Sequence, residues 1–167
     1  MKNKFIAIAI IVISAAGIAY ASFATNLTVN GTATATGNWD VRITGITPTA
    51  QVGATDHVST PSFTTTSATF NVDLAYPGAT SSYNVAIKNN GNISAKLSSI
   101  TDLTAINAGA PTYITYAISG VAVNDVIAPG VTDTATITTT WDAAATTNPS
   151  GASKAATINF NYVQNTP

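Results

Sequence analysis

The chain has 167 residues, and six Lys and Arg against seven Asp leave a net charge of −1 and a charged fraction of 8%, far below the quarter or so that a soluble domain ordinarily carries. So neutral a chain gives nucleic acid no electrostatic footprint. The lack of Cys removes disulfides, thiol catalysis and thiolate metal sites, and one His with no Glu leaves almost nothing for general acid–base chemistry.

The residues therefore predict no enzyme, no catalytic residues, no metal and no cofactor. With 46% hydrophobic residues the chain can bury a core, and its length suits one domain. Thr supplies 29 of the residues, a share that favours pleated strands.

Residues 1–21 have the layout of a secretory signal peptide. Lys2 and Lys4 precede an apolar run over 5–18, and Ala19-Tyr20-Ala21 is a small-x-small cleavage site. Cleavage there makes Ser22 the first mature residue; a cut after Ala24 is the alternative. The competing reading is a retained helix over 5–23, long enough to span a bilayer. Either way the remainder lies outside the cytoplasm. A secreted chain touches membrane only through this segment before cleavage.

Residues 22–36 form a predicted N-terminal strand with one slim apolar face, Phe23, Leu27, Val29, Gly31, Ala33 and Ala35, and a polar face that includes Asn26, Thr28 and Asn30. Residues 37–167 then repeat a period of two. Trp39, Val41 and Ile43 alternate with polar neighbours, as do Phe70, Val72 and Leu74, then Tyr83, Val85 and Ile87, then Ile114, Tyr116 and Ile118 with Val121 and Val123 following. Ala135 and Ile137 lie in a Thr-rich run ending at Trp141, and Ile158, Phe160 and Tyr162 close the series. Pro77-Gly78, Pro129-Gly130 and Asn148-Pro149 mark turns, Asn89-Asn90-Gly91-Asn92 suits a tight hairpin, and 45–62 is predicted as a loop. No helical period appears after the signal. Seven to nine short strands predict an all-β fold, a single antiparallel β-sandwich of jelly-roll type with an extended N-terminal strand.

Three segments carry a family resemblance. They are Ser22-Phe23-Ala24-Thr25-Asn26-Leu27-Thr28-Val29-Asn30-Gly31-Thr32, the stretch from Ala75-Tyr76-Pro77-Gly78 through Asn89-Asn90-Gly91-Asn92 to Leu97, and Ile127-Ala128-Pro129-Gly130-Val131-Thr132 leading to Trp141, with Gln164 near the end. Their order resembles the TasA/camelysin family of secreted matrix-fibre subunits and is similar to the related archaeal bundling pilins. The resemblance implies a jelly-roll subunit that polymerises by giving its N-terminal strand to the next subunit. The partner would then be a second copy of the chain, in a homopolymer, with the cell surface or neighbouring filaments as further contacts. Camelysin carries a protease label that these residues do not support, since no His-Glu-x-x-His occurs.

From the pattern alone, the slim strand suits either donation to a neighbour or closure of its own sandwich. Three sequons, at Asn26, Asn30 and Asn92, are candidate glycosylation sites. Asp102, Asp125 and Asp133 fall near turns, where solvated carboxylates are the usual case rather than calcium ligands. His57 beside Asp56 reads as a surface His rather than half of a dyad, and Lys88 and Lys96 as solvated lysines. The expected function is a structural subunit of an extracellular filament. The alternatives are a membrane-anchored, monomeric adhesion module and a camelysin-type secreted protease.

Overall fold

The computed structural model describes residues 28–146 and 152–165. The chain divides into two units between Ala35 and Thr36. The signal residues Ala19, Ala21 and Ser22, together with Phe23, Asn26 and Leu27, lie outside the described residues.

In chain order the strands are β1 (Val41–Val52), β2 (Ala54–Asp56), β3 (Ser62–Phe63), β4 (Ala68–Thr69), β5 (Val72–Leu74), β6 (Thr80–Asn89), β7 (Ala95–Ile100), β8 (Ile114–Ser119), β9 (Val126–Ile127), β10 (Thr132–Trp141) and β11 (Phe160–Gln164), with one helix, α1 (Thr104–Ala108), between β7 and β8. All pairings are antiparallel. A four-stranded sheet runs β1-β6-β10-β8 and a three-stranded sheet β11-β7-β9; β2 pairs β5, and β3 pairs β4. The protein is an all-β antiparallel sandwich.

The period of two sets which face is buried. On β6, Ser81, Tyr83, Val85, Ile87 and Asn89 are buried; on β10, Ala135, Ile137, Thr139 and Trp141 are. Register places Tyr83 against Ile137 and Val85 against Ala135. Ile46 from β1 and Ile127 from β9 complete the buried cluster, and Phe70, Val72, Ile158, Phe160 and Tyr162 pack against it from the other layer. The alternate residues of β10, Thr132 through Thr140, face outward. Thr138 bonds Ser82 at 2.9 Å, and Thr136 bonds Asn84 at 2.8 Å. This is cross-strand support of a kind common on solvated sheet faces.

Several expectations need correction. The segment 45–62 is not one loop. β1 runs through it to Val52 with two register shifts, and β2 follows. Pro48 is tolerated because β1 is an edge strand. Asn89-Asn90-Gly91-Asn92 does not close a hairpin. β6 and β7 lie in different sheets, and the turn crosses the sandwich. Buried Asn89 sets that crossing: its side-chain amide donates to the Ile93 carbonyl at 2.8 Å and the Ile127 carbonyl at 3.0 Å, and its oxygen accepts from the Gly91 amide at 3.0 Å. Val121 and Val123 fall in the connection before β9 rather than in a strand, and Trp39 precedes β1 and is exposed. α1 is too short to carry a 3.6-residue pattern, and so is invisible to periodicity.

The predicted N-terminal strand is not a strand over its described part. Residues 28–40 carry no regular secondary structure and 28–39 are exposed. A strand is stable only where its backbone groups meet a partner edge, and 28–40 enter none of the sheets.

Candidate functional site

The layer facing the β1-β6-β10-β8 sheet is built in two pieces, β2-β5 and β11-β7-β9. Both cover the same apolar floor. Phe70, just before β5, stacks on Tyr83 with ring centroids 4.5 Å apart, and Phe160 and Tyr162 of β11 pack on the same cluster. Beside β5 lies a cavity of about 430 Å³. One wall is residues 70–75, the other Tyr113, Ile114, Tyr116 and residues 152–154, and the floor is Thr139 and Trp141.

Among the described residues, the first wall presents an open backbone edge. The His57 amide donates to the Asn71 carbonyl at 3.1 Å and the Ala75 amide to the Gly53 carbonyl at 2.8 Å, so odd-numbered residues of this stretch face β2. By antiparallel alternation the N–H and C=O of Val72 and Leu74 point the other way, toward the cavity. Opposite them stand residues 152–154, which lead toward β11 outside any strand.

That approach is held by Lys154. Its ammonium donates to the carbonyls of Asn107 (2.9 Å), Gly109 (2.8 Å), Pro111 (3.1 Å) and Ile114 (2.8 Å). The Asn107 side chain bonds the Tyr116 backbone in both directions, at 2.9 and 2.8 Å, and Tyr116 Oη donates to the Lys154 carbonyl. One ammonium thus gathers the C-terminal end of α1, the loop after it and the cavity wall. Desolvation lowers the Lys154 pKa, while four carbonyl dipoles favour the charged form.

The floor carries polar atoms without partners. Ser81 Oγ, Thr139 Oγ1 and Trp141 Nε1 are buried and unbonded, and Ser81 and Thr139 face each other in register. Such atoms are uncommon in native interiors, and each calls for an explanation. Tyr113 stacks on Trp141 at 5.7 Å. At the rim, exposed His57 and Asp73 pair at 2.9 Å.

Of the sequence candidates, Val29, Gly31, Ala33 and Ala35 are exposed, Val29 at 94%, and Asn30 is exposed. Asn92 is exposed, but its amide is in use: it accepts from the Asn38 amide at 2.7 Å and donates to the Thr36 carbonyl at 2.9 Å. His57 pairs with Asp73 rather than with its neighbour Asp56, which accepts from Tyr83 Oη and Gln51. Asp102 accepts from the Thr104 amide and hydroxyl, which holds its pKa below the usual carboxylate value. Asp125 binds the Ala122 amide at 2.6 Å. Burial, then the Asp125 charge, pushes Asp133 up. Among the described residues no three His, Cys, Asp or Glu side chains gather as a metal site, and no helix is long and apolar enough to cross a membrane.

Lys154, Thr139 and Trp141 escaped the sequence reading as site residues. Lys154 sits in a run of small residues with no partner at any motif spacing, and Thr139 is one Thr among many. No protein-family model, curated protein or solved structure matches the chain.

Proposed function

We propose that the protein is a secreted structural subunit of an extracellular filament, a jelly-roll-type homopolymer in which the N-terminal strand of one subunit enters the next. The observation that carries this is the edge of β5, open among the described residues, which borders a cavity with residues 152–154 on its far side. A strand laid there would pair along the β5 edge, and strand addition of this kind draws affinity from the main chain and specificity from alternate side chains. The N-terminal segment has the composition for it: slim, uncharged and alternating, with its described residues exposed and outside every sheet.

Deletion of residues 22–35 from the mature chain tests this. The truncated protein is expected to be secreted but to stay monomeric by negative-stain microscopy. Leu27→Asp is expected to block assembly, because an unpaired charge in an apolar groove costs several kcal/mol; Thr28→Asp, on the other face, is expected to assemble. Native fibres from the deletion variant, or equal assembly of the two Asp variants, would refute the reading.

The second reading is a membrane-anchored monomeric module holding a ligand in the same cavity, which the Tyr113–Trp141 stack favours. An intact mass that includes residues 1–21 would support it over the secreted subunit.

A further inference from the structure

The walls of the proposed groove mix apolar residues with His57, Asn71, Asp73, Ser153 and Lys154, and its floor holds buried polar atoms. Thr139 is 3% exposed, Trp141 7% and Ser81 0%, and the first two face into the cavity. Their Oγ1, Nε1 and Oγ have no partner among the described residues. Trp141 Nε1 can only donate, while the two hydroxyls can donate or accept. Together they ask for a small group that accepts and donates at once, such as one hydroxyl. The flanking lining, Phe70, Val72, Leu74 and Ile114, asks for apolar side chains on either side.

The N-terminal segment offers that pattern once. Its odd-numbered face reads Phe23, Thr25, Leu27, Val29, Gly31, Ala33 and Ala35, and Thr25 is its sole polar residue, set between the two largest apolar ones. We propose that Thr25 of a second copy seats over Thr139 and Trp141 and so fixes the register of the donated strand. Phe23 and Leu27 then fall on the apolar lining to either side. This rests on the donor-strand reading and names the contact that specifies it.

Register needs such a device because a one-residue slip turns every side chain to the wrong face, and a two-residue slip keeps the faces but shifts the pairing. The run of Gly31, Ala33 and Ala35 does little to resist a two-residue slip. A hydroxyl meeting buried polar atoms does resist it, since any other register leaves those atoms unpaired against Phe or Leu. Signal cleavage at either site retains Thr25.

The chain has no cysteine, so the contact can be trapped cleanly. Mature full-length protein carrying Thr25→Cys and Thr139→Cys would be assembled and treated with a short thiol–thiol bridging reagent, since facing sheets stand about 10 Å apart. The expected result is a ladder of covalent oligomers on a denaturing gel, absent for Leu27→Cys with Thr139→Cys. In parallel, Thr25→Val is expected to raise the critical concentration for assembly about tenfold, and Thr25→Ser to leave it near the parent value. A ladder from the Leu27 pair instead, or parental assembly by Thr25→Val, would overturn the register while leaving donation standing. Fibres in which no position from 22 to 35 bridges to Thr139 would overturn the groove as acceptor altogether.

Discussion

Replacing Lys154 with Met keeps the length of the side chain and removes its charge. An ammonium has three N–H donors for the four carbonyls around it, so three bonds hold at any moment and one is shared. At about 1.5 kcal/mol for each charge-assisted bond the gross loss is about 4.5 kcal/mol. Freeing the lysine rotamers returns about 2 kcal/mol, and Lys154 is only half-buried, so water satisfies some of the released carbonyls. The expected net loss is about 2–3 kcal/mol, read from the urea midpoint of the dilute protein. Amide exchange should quicken in residues 109–116 and 152–158, while β6 and β10 keep their protection. Lys154→Arg should fall between, because a planar guanidinium fork cannot aim its donors at the same ring of oxygens. A midpoint change worth less than about 0.5 kcal/mol, the size of an ordinary surface substitution, would show that the four bonds do not hold the wall.

Two further predictions follow from burial. Tyr83 and Tyr162 are both pushed up to about 12, Tyr83 by burial and then its bond to Asp56, Tyr162 by burial and then the charges of Asp133 and Asp125. Above pH 10 the unfolded chain loses these protons and the folded one keeps them. Stability should therefore hold up to about pH 10 and fall from there toward about pH 12, by at most about 1.4 kcal/mol per pH unit for each tyrosine; burial raises Tyr116 as well, so Tyr83→Phe should lessen the slope without removing it, and a flat profile by circular dichroism would refute this. Gly91→Ala should cost about 1–3 kcal/mol, because a Cβ there would stand 2.3 Å from the Asn38 carbonyl oxygen and 2.9 Å from the Asp40 nitrogen; an unchanged melting temperature would show that the 38–40 segment is not fixed against the turn.

The strands were legible where one face is core and the other water. β6 and β10 bury alternate residues along nearly their whole length, as the spacing of Tyr83, Val85 and Ile87 and of Ala135 and Ile137 predicts. Pairing was not legible. Asn89 to Asn92 has hairpin chemistry, yet the strands it joins enter different sheets, because from β6 to β11 every connection crosses between the layers. Turn residues set local φ and ψ; which edge the next strand finds depends on contacts far along the chain. β1 was underestimated for a related reason. As an edge strand it is mostly exposed beyond Ile46 and so lacks the alternation that marks a half-buried strand.

The groove was not legible at all, since it is a property of what the second layer lacks. Nothing in Val72 or Leu74 announces that their backbone faces an empty edge; that follows only from β2 holding the other side. An exposed edge of this kind is a hazard that folded proteins usually cover, twist or charge. Here Asp73 stands on one wall and Lys154 on the other, and among the described residues the buried hydroxyls of Ser81 and Thr139 and the Trp141 indole lie unpartnered beneath. Each such atom costs about 1–3 kcal/mol if it stays unsatisfied, so the arrangement is stable as a lone subunit only through packing elsewhere: the sheet floor, the Asn89 crossing and the Lys154 clamp. Under the donor-strand proposal, a strand taken up here would gain in three ways together, by backbone pairing on the β5 edge, by apolar burial, and by satisfying polar atoms already held dry. On that proposal it is this combination, rather than apolar area alone, that would favour the N-terminal segment over another slim strand of similar hydrophobicity.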